Sequence, residues 1–244
     1  MNQFSCNYQN IMRIFSKNWA KSLCGTVLLV AIPLLLLPSC VQAQNTVTEN
    51  IGCANSTVSC LDGKAVITIS TSKGDFTVEV DGTAAPLTSG NFVDLVKRGI
   101  YDGTAFHRVI PGFVAQGGDP TSADPRTPPG RLGTGGFMDP STGQERQIPL
   151  EIALTGEEQP RYGKVLTEPG LRERLKLRHE QGALAMARSQ LPNSASAQFY
   201  VALEDLPELD GSYAVFGRVI AGMDVVDQLE KGDRLVRAVV SGQS

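Results

Sequence analysis

Between Lys64 and the C-terminus, apolar and polar positions alternate in short bursts. Ala65-Val-Ile-Thr-Ile-Ser70 and Phe76-Thr-Val-Glu-Val80 flank the turn Ser72-Lys73-Gly74, which predicts a hairpin with one buried face. Pro86 suits the first position of a helix. Phe92, Leu95 and Val96 then share one helical face, and Gly99 suits the stop. Two short runs, AFHRVI and GFVAQGG, follow, hinged at Pro111-Gly112, where proline cannot join a ladder and a bend or bulge is expected. Further strands are predicted at Gly182–Ala187, Gln198–Leu203, Ala214–Ile220 and Leu235–Val240. Met223, Val226 and Leu229 space a second helix that stops at Gly232. Many short strands with few helices and no internal repeat predict a mainly β fold, a closed or nearly closed barrel. Residues 148–181 break the pattern. They are charged and irregular and read as a solvated excursion, with a short helix from Leu171 as the alternative.

The first 43 residues are of another kind. They hold Arg13, Lys17 and Lys21 and no acid, and an apolar run from Leu23 to Leu37 follows. That run is short beside the ~20 residues of a spanning helix, and the pattern is that of an export signal. Val41-Gln42-Ala43 fits cleavage before Gln44, while Leu37-Pro38-Ser39-Cys40 fits a lipoprotein site that would anchor the chain through Cys40. A soluble exported product is favoured, in the periplasm or another bacterial envelope compartment, with the lipid anchor as the alternative. Cleavage at 43 lowers Lys+Arg from 22 to 19 against 25 acids, so the net charge moves from −3 to −6. Nucleic acid is therefore not an expected partner. Residues 44–63 read as a linker. Cys53 and Cys60 are the two cysteines left after that cut, and in an exported chain they predict a disulfide, free thiols being the alternative.

Candidate chemistry concentrates around FHRVIPGFVAQGGDP, which holds one arginine, Arg108, two aromatics, Phe106 and Phe113, and an amide, Gln116. No nucleophile with a base accompanies them. Gly133-Thr-Gly-Gly136 lacks the lysine and hydroxyl of a phosphate loop and reads as turns. With His107 and His179 as the two histidines and the cysteines confined to the leader, no metal and no cofactor are expected. His107 adjoins Arg108, should face the other side of its strand, and reads as structural.

This block, followed in order by GTGG, GALAMAR, SASAQFYVAL and LDGSYAVFGRVIAGMDVV, resembles the cyclophilins, the barrel-shaped peptidyl-prolyl isomerases. The resemblance covers roughly Lys64 to Val240. It implies an eight-stranded antiparallel closed β-barrel capped by two α-helices, in a domain spanning 64–241 with a long insertion at about 148–181. It implies an isomerase acting on proline-containing polypeptides during the folding of exported proteins, as a monomer. Arg108, Phe113 and Gln116 would be its catalytic residues. Val114, Ala187, Arg188, Gln198, Tyr200, Leu209 and Tyr213 would bind substrate. Several positions depart from the family pattern. Arg188 stands where asparagine is frequent, Tyr200 replaces a pocket phenylalanine, and Tyr213 takes a place often held by histidine. Glu208 stands where many eukaryotic members carry a tryptophan, so cyclosporin should bind weakly. Tyr200 would narrow the pocket or bring a hydroxyl into it. The inserted segment would shade the active face, dock a partner, or do neither. Two alternatives to an enzyme stay open: a proline-peptide-binding chaperone or assembly factor with little turnover, and a structural subunit docking through 148–181.

Overall fold

A computed structural model describes residues 52–53 and 56–243. The stretch predicted as an export signal and Cys40 lie outside the described residues. In chain order the elements are β1 (Lys64–Thr71), β2 (Gly74–Asp81), α1 (Pro86–Lys97), β3 (Arg108–Ile110), β4 (Val114–Gly117), β5 (Met138–Asp139), β6 (Gln144–Glu145), β7 (Glu151–Ile152), β8 (Arg161–Tyr162), β9 (Ala183–Met186), β10 (Phe199–Ala202), β11 (Val215–Ala221), α2 (Met223–Asp227) and β12 (Leu235–Gln243). Eight of these strands form one antiparallel sheet in the order β12-β1-β2-β11-β9-β10-β4-β3. The pairs β5–β6 and β7–β8 are separate two-stranded ribbons.

The predicted eight strands and two helices are present, but the barrel is not closed by a continuous ladder. The outer strands β12 and β3 do not pair. They approach through a single bridge between Ala105 and Arg234, just before each strand begins. Four backbone hydrogen bonds of 2.8–2.9 Å join residues 103–106 to 232–235 there. Beyond this seam the chains part, which leaves β3 as a free edge carrying Arg108.

The interior is apolar. Phe92 of α1 lies 5.1–5.3 Å, centroid to centroid, from Tyr101, Phe199 and Phe216, all fully buried. The alternation of β1 and β2 works as predicted, with Ile67, Ile69, Phe76, Val78 and Val80 turned inward. By contrast α2 is shorter than its apolar spacing implied and ends at Asp227.

Two expectations are corrected. Residues 44–63 are not a linker throughout. Cys53 and Cys60 are joined by a disulfide, and Val58 and Leu61 are buried in the main core. The Leu61 amide donates to Pro86 at 2.9 Å. Nor are residues 148–181 a solvated excursion. Leu150, Ile152, Leu154, Leu166 and Leu175 form a small core of their own against Ala214. The charged stretch yields only a single turn, Arg172–Arg174.

The inserted segment also completes α1. That helix has no side-chain cap of its own. Glu151 accepts instead from the amides of Leu87 and Thr88 at 3.2 and 2.7 Å, and from the Tyr162 hydroxyl at 2.8 Å. A carboxylate at a helix N-terminus meets unpaired donors and the positive end of the dipole. Burial pushes its pKa up, and those hydrogen bonds pull the other way.

Gly90 shows how tightly 56–61 packs on α1. A methyl group there would collide with the Ser59 carbonyl oxygen. Gly90→Ala is expected to destabilise the protein by about 2 kcal/mol, although alanine favours a helix by about 1 kcal/mol over glycine. Urea unfolding of the two proteins measures this. A more stable variant would show that the contact is loose.

Candidate active site

Strand register builds the site. Residues directly opposite in adjacent strands share a face of the sheet. Arg108 pairs with Gln116, Gln116 with Tyr200, Tyr200 with Ala185, and Ala185 with Val215. One row thus runs across five strands on the outer face of the barrel. The neighbouring row, Ala115, Val201 and Leu184, points inward and is completely buried. The outer row is covered in part by a second apolar cluster, in which Val114, Ala185, Tyr200, Ala202 and Val215 meet Leu206, Leu177, Leu209 and Tyr213. Where this cover stops, a groove of 260 Å³ opens.

Nine of the ten residues singled out from the sequence line that groove: Arg108, Phe113, Val114, Gln116, Ala187, Arg188, Tyr200, Leu209 and Tyr213. Gln198 does not. It lines an adjoining pocket of 310 Å³ with Gln116, Ala187, Arg188, Glu145 and the loop at Gly133–Gly135.

The polar groups are held in place. Phe113 follows the turn at Pro111-Gly112, where Gly112 has φ +69°. The Phe113 ring lies 5.5 Å beneath the Arg108 guanidinium, a cation–π distance. Arg108 Nη1 is 3.4 Å from Gln116 Oε1, and among the described residues it makes no ion pair. Gln116 Nε2 donates to Gln198 Oε1 at 3.1 Å, and Gln198 Nε2 donates to the Gly135 carbonyl at 2.8 Å. Arg188 stacks 4.7 Å over Tyr213 and donates to the Ser212 carbonyl at 2.7 and 3.1 Å. One guanidinium is therefore tied down by backbone, and the other lies on the free edge of β3.

His107 is buried, opposite in exposure to Arg108, and lies against Gly133. Burial pushes its pKa down, and neither ring nitrogen has a hydrogen-bond partner among the described residues. The described residues hold no cluster of three metal-ligating side chains.

Sequence reasoning missed three positions that shape the site. Asp119 is buried and accepts from Thr121 N, Gly133 N and Gly135 N at 2.8, 2.7 and 3.3 Å, which pins the Gly-rich loop to the groove's end. Its place before Pro120 signalled a turn, but nothing local pointed to residue 133. His179 and Asp210 hold the Tyr200 hydroxyl, which turns out of the groove instead of into it.

A family model described as cyclophilin type peptidyl-prolyl cis-trans isomerase/CLD matches residues 66–241. The chain belongs to the cyclophilin family. This cyclophilin is 42% identical over 193 residues to a putative thylakoid lumen peptidyl-prolyl cis-trans isomerase of Synechocystis, covering 75% of this chain and 48% of that protein. It is 35% identical over 204 residues to a probable peptidyl-prolyl cis-trans isomerase of Brucella abortus, covering 83% and 89%. The chain thus spans about half the length of the first relative and most of the second. Among solved structures it is similar to the cyclophilin AquaCyp293 from Hirschia baltica, with 27% identity, TM-score 0.51, and 74% and 75% of the two chains covered. It is also similar to a Cryptosporidium parvum cyclophilin crystallised with the dipeptide Ala-Pro, with 26% identity, TM-score 0.52, and 73% and 99% covered.

Asp119→Ala in this cyclophilin would leave three backbone donors short of a partner. It is expected to destabilise the fold by about 3 kcal/mol and to speed amide exchange at Gly133 and Gly135. Protection at those two amides equal to wild type would show that the loop is held by other contacts.

Proposed function

We propose that this groove catalyses cis–trans exchange of X–Pro bonds in exported polypeptides. The observation that carries the reading is the placement of Arg108: a guanidinium with no ion pair among the described residues, over an aromatic ring, beside a fixed amide.

The reaction needs little else. Resonance resists rotation of a peptide bond with a barrier of ~18–20 kcal/mol. Before proline, the two isomers differ by only ~0.5–1 kcal/mol and exchange in tens of seconds or longer. No bond is made or broken and no proton is transferred, so neither a nucleophile nor a tuned acid is required. At mid-rotation the imide nitrogen loses conjugation and regains a lone pair. A donor aimed at that nitrogen favours the twisted form over either planar one, and such differential binding is catalysis.

In this reading Phe113, Val114, Tyr200, Leu209 and Tyr213 seat the proline ring by apolar contact. Arg108 supplies the fixed charge and planar fork. Gln116, oriented by Gln198, holds the substrate backbone. Ala187, beside the tethered Arg188, lines the path on which the chain continues. The disulfide supports an oxidising compartment, and the signal-like N-terminus supports export to a bacterial periplasm or similar envelope space. Intact mass of the mature protein would separate cleavage before Gln44 from lipidation at Cys40. We further propose weak cyclosporin binding, on the ground of Glu208, and, from the family resemblance, a monomer.

Exchange in a short proline peptide, followed by NMR or a protease-coupled assay, tests the proposal. Arg108→Ala is expected to lower kcat/KM at least tenfold, which corresponds to about 1.4 kcal/mol of transition-state stabilisation. Wild type no faster than this variant would end the isomerase reading; peptide binding without acceleration would favour a binding module. The acceleration is also expected to stay level between pH 7 and 9, because the mechanism moves no proton and burial pushes the Tyr200 phenol well up. A step of tenfold within that window would demand a titrating catalyst.

A further inference from the structure

Tyr200 forms part of the groove's floor, and only 4% of it is exposed. A phenol buried beside an apolar seat needs a partner for its hydroxyl. The partner comes from the inserted segment. His179 Nε2 lies 2.9 Å from the Tyr200 oxygen, and the two ring planes are within 16° of parallel. His179 is itself 2% exposed. Its Nδ1 is 2.9 Å from Asp210 Oδ1, the same oxygen that accepts from the His179 backbone amide at 2.9 Å. Asp210 directly follows the turn Pro207–Leu209, which places Leu209 at the groove.

The direction of each proton follows from the partners. An Asp210 carboxylate can only accept, so Nδ1 carries the ring proton. A neutral imidazole then offers Nε2 as an acceptor, and the Tyr200 hydroxyl donates to it. The hydroxyl thereby points away from the groove, and what remains for a ligand is the ring, set edge to face against Tyr213 at 5.9 Å.

We propose that His179, oriented by Asp210, is a positioning residue for the proline seat: it captures the Tyr200 hydroxyl and so keeps the floor of the groove apolar. The proposal rests on the groove being a proline-peptide site. Without His179, the hydroxyl would find a partner by turning toward the groove and its water. The inserted segment would then act on ligand binding without touching the ligand.

Protonating His179 has a similar consequence. Nε2 becomes a donor, the Tyr200 oxygen must accept, and the phenol O–H, which keeps its proton, turns toward the groove. The groups facing His179 are Asp210 and Glu208 from the turn, Tyr200 from β10, and Glu151 of β7 with Tyr213 around a small shared cavity. Arg188 lies beyond Tyr213. Burial pushes the His179 pKa down, while the Asp210 hydrogen bond and charge and the Glu208 charge push it up, with burial prevailing. The imidazole is therefore neutral at pH 7 and gains its proton only in acid.

A double-mutant cycle on the full mature chain tests this, read by NMR titration with a short Ala-Pro peptide and by exchange kinetics. His179→Leu is expected to raise the peptide Kd and KM at least fivefold with kcat changed less than twofold. In the Tyr200→Phe background the same change is expected to shift Kd by less than twofold, since no hydroxyl is left to hold. A His179→Leu variant that binds like wild type, or a loss of equal size in both backgrounds, overturns the proposal. A second arm needs no change at His179. Peptide affinity of wild type should fall at least twofold as acid protonates His179, the titration being followed on its own ring NMR signals, and Tyr200→Phe should lose most of that dependence. Coincident affinity profiles across the His179 titration overturn the proposal even if His179→Leu fails to fold. The binding readout stands apart from turnover, so a wild type no faster than Arg108→Ala would remove the isomerase reading while the cycle still decides the role of His179.

Discussion

The structure depends on one register. Because side chains alternate along a strand, the pairing of β3, β4, β10, β9 and β11 decides which residues face the barrel's core and which face outward. A slip of one residue between β4 and β10 would put Gln116 and Tyr200 on opposite faces, turning one of them inward and exposing an inner-row residue of the same strand. The fully buried inner row makes that slip costly. The core thus does more than hold the fold together. By fixing the register, it sets Arg108, Gln116 and Tyr200 side by side on the opposite face.

An outward row on a barrel would ordinarily be solvated. Here a second apolar layer covers much of it, built from residues after β8, from the turn at 207–209 and from Tyr213. The groove is the gap where this layer ends at the open edge of β3. Barrel closure matters for the same reason. Since the sheet edges meet only near Ala105 and Arg234, β3 leaves the seam before Arg108, and that side chain is not covered by a neighbouring strand.

Each margin of the groove is secured by a polar residue acting at a distance, with Gln198 half-buried and Asp119, His179 and Asp210 buried. Asp119 gathers the amides of the Gly-rich loop, Gln198 ties that loop to Gln116, and Asp210 with His179 holds Tyr200. Glu151 does the same for α1, which packs against the core beneath. Buried carboxylates are tolerated at these places because each accepts several hydrogen bonds. The inserted segment supplies two of these contacts and carries its own apolar cluster, so it is a structural part of the barrel's outer wall.

Much of this was legible in the sequence, for a physical reason. Alternation, turn chemistry at Ser72-Lys73-Gly74 and Pro111-Gly112, and the proline start of α1 act within a few residues, so β1, β2 and α1 could be placed within a residue or two. The ordered motifs also brought nine of ten candidate residues to one groove. What the sequence hid was partner choice. The cap for α1 comes from 63 residues away, and the partner of the Tyr200 hydroxyl from 21. The leucines of 148–181 lack a regular spacing because they bury themselves against Ala214 and one another in irregular loops. Local propensity sets the strands and turns. Only the packed chain brings a given buried donor to a given acceptor, because that choice depends on what lies across the layer and not on what lies next in sequence.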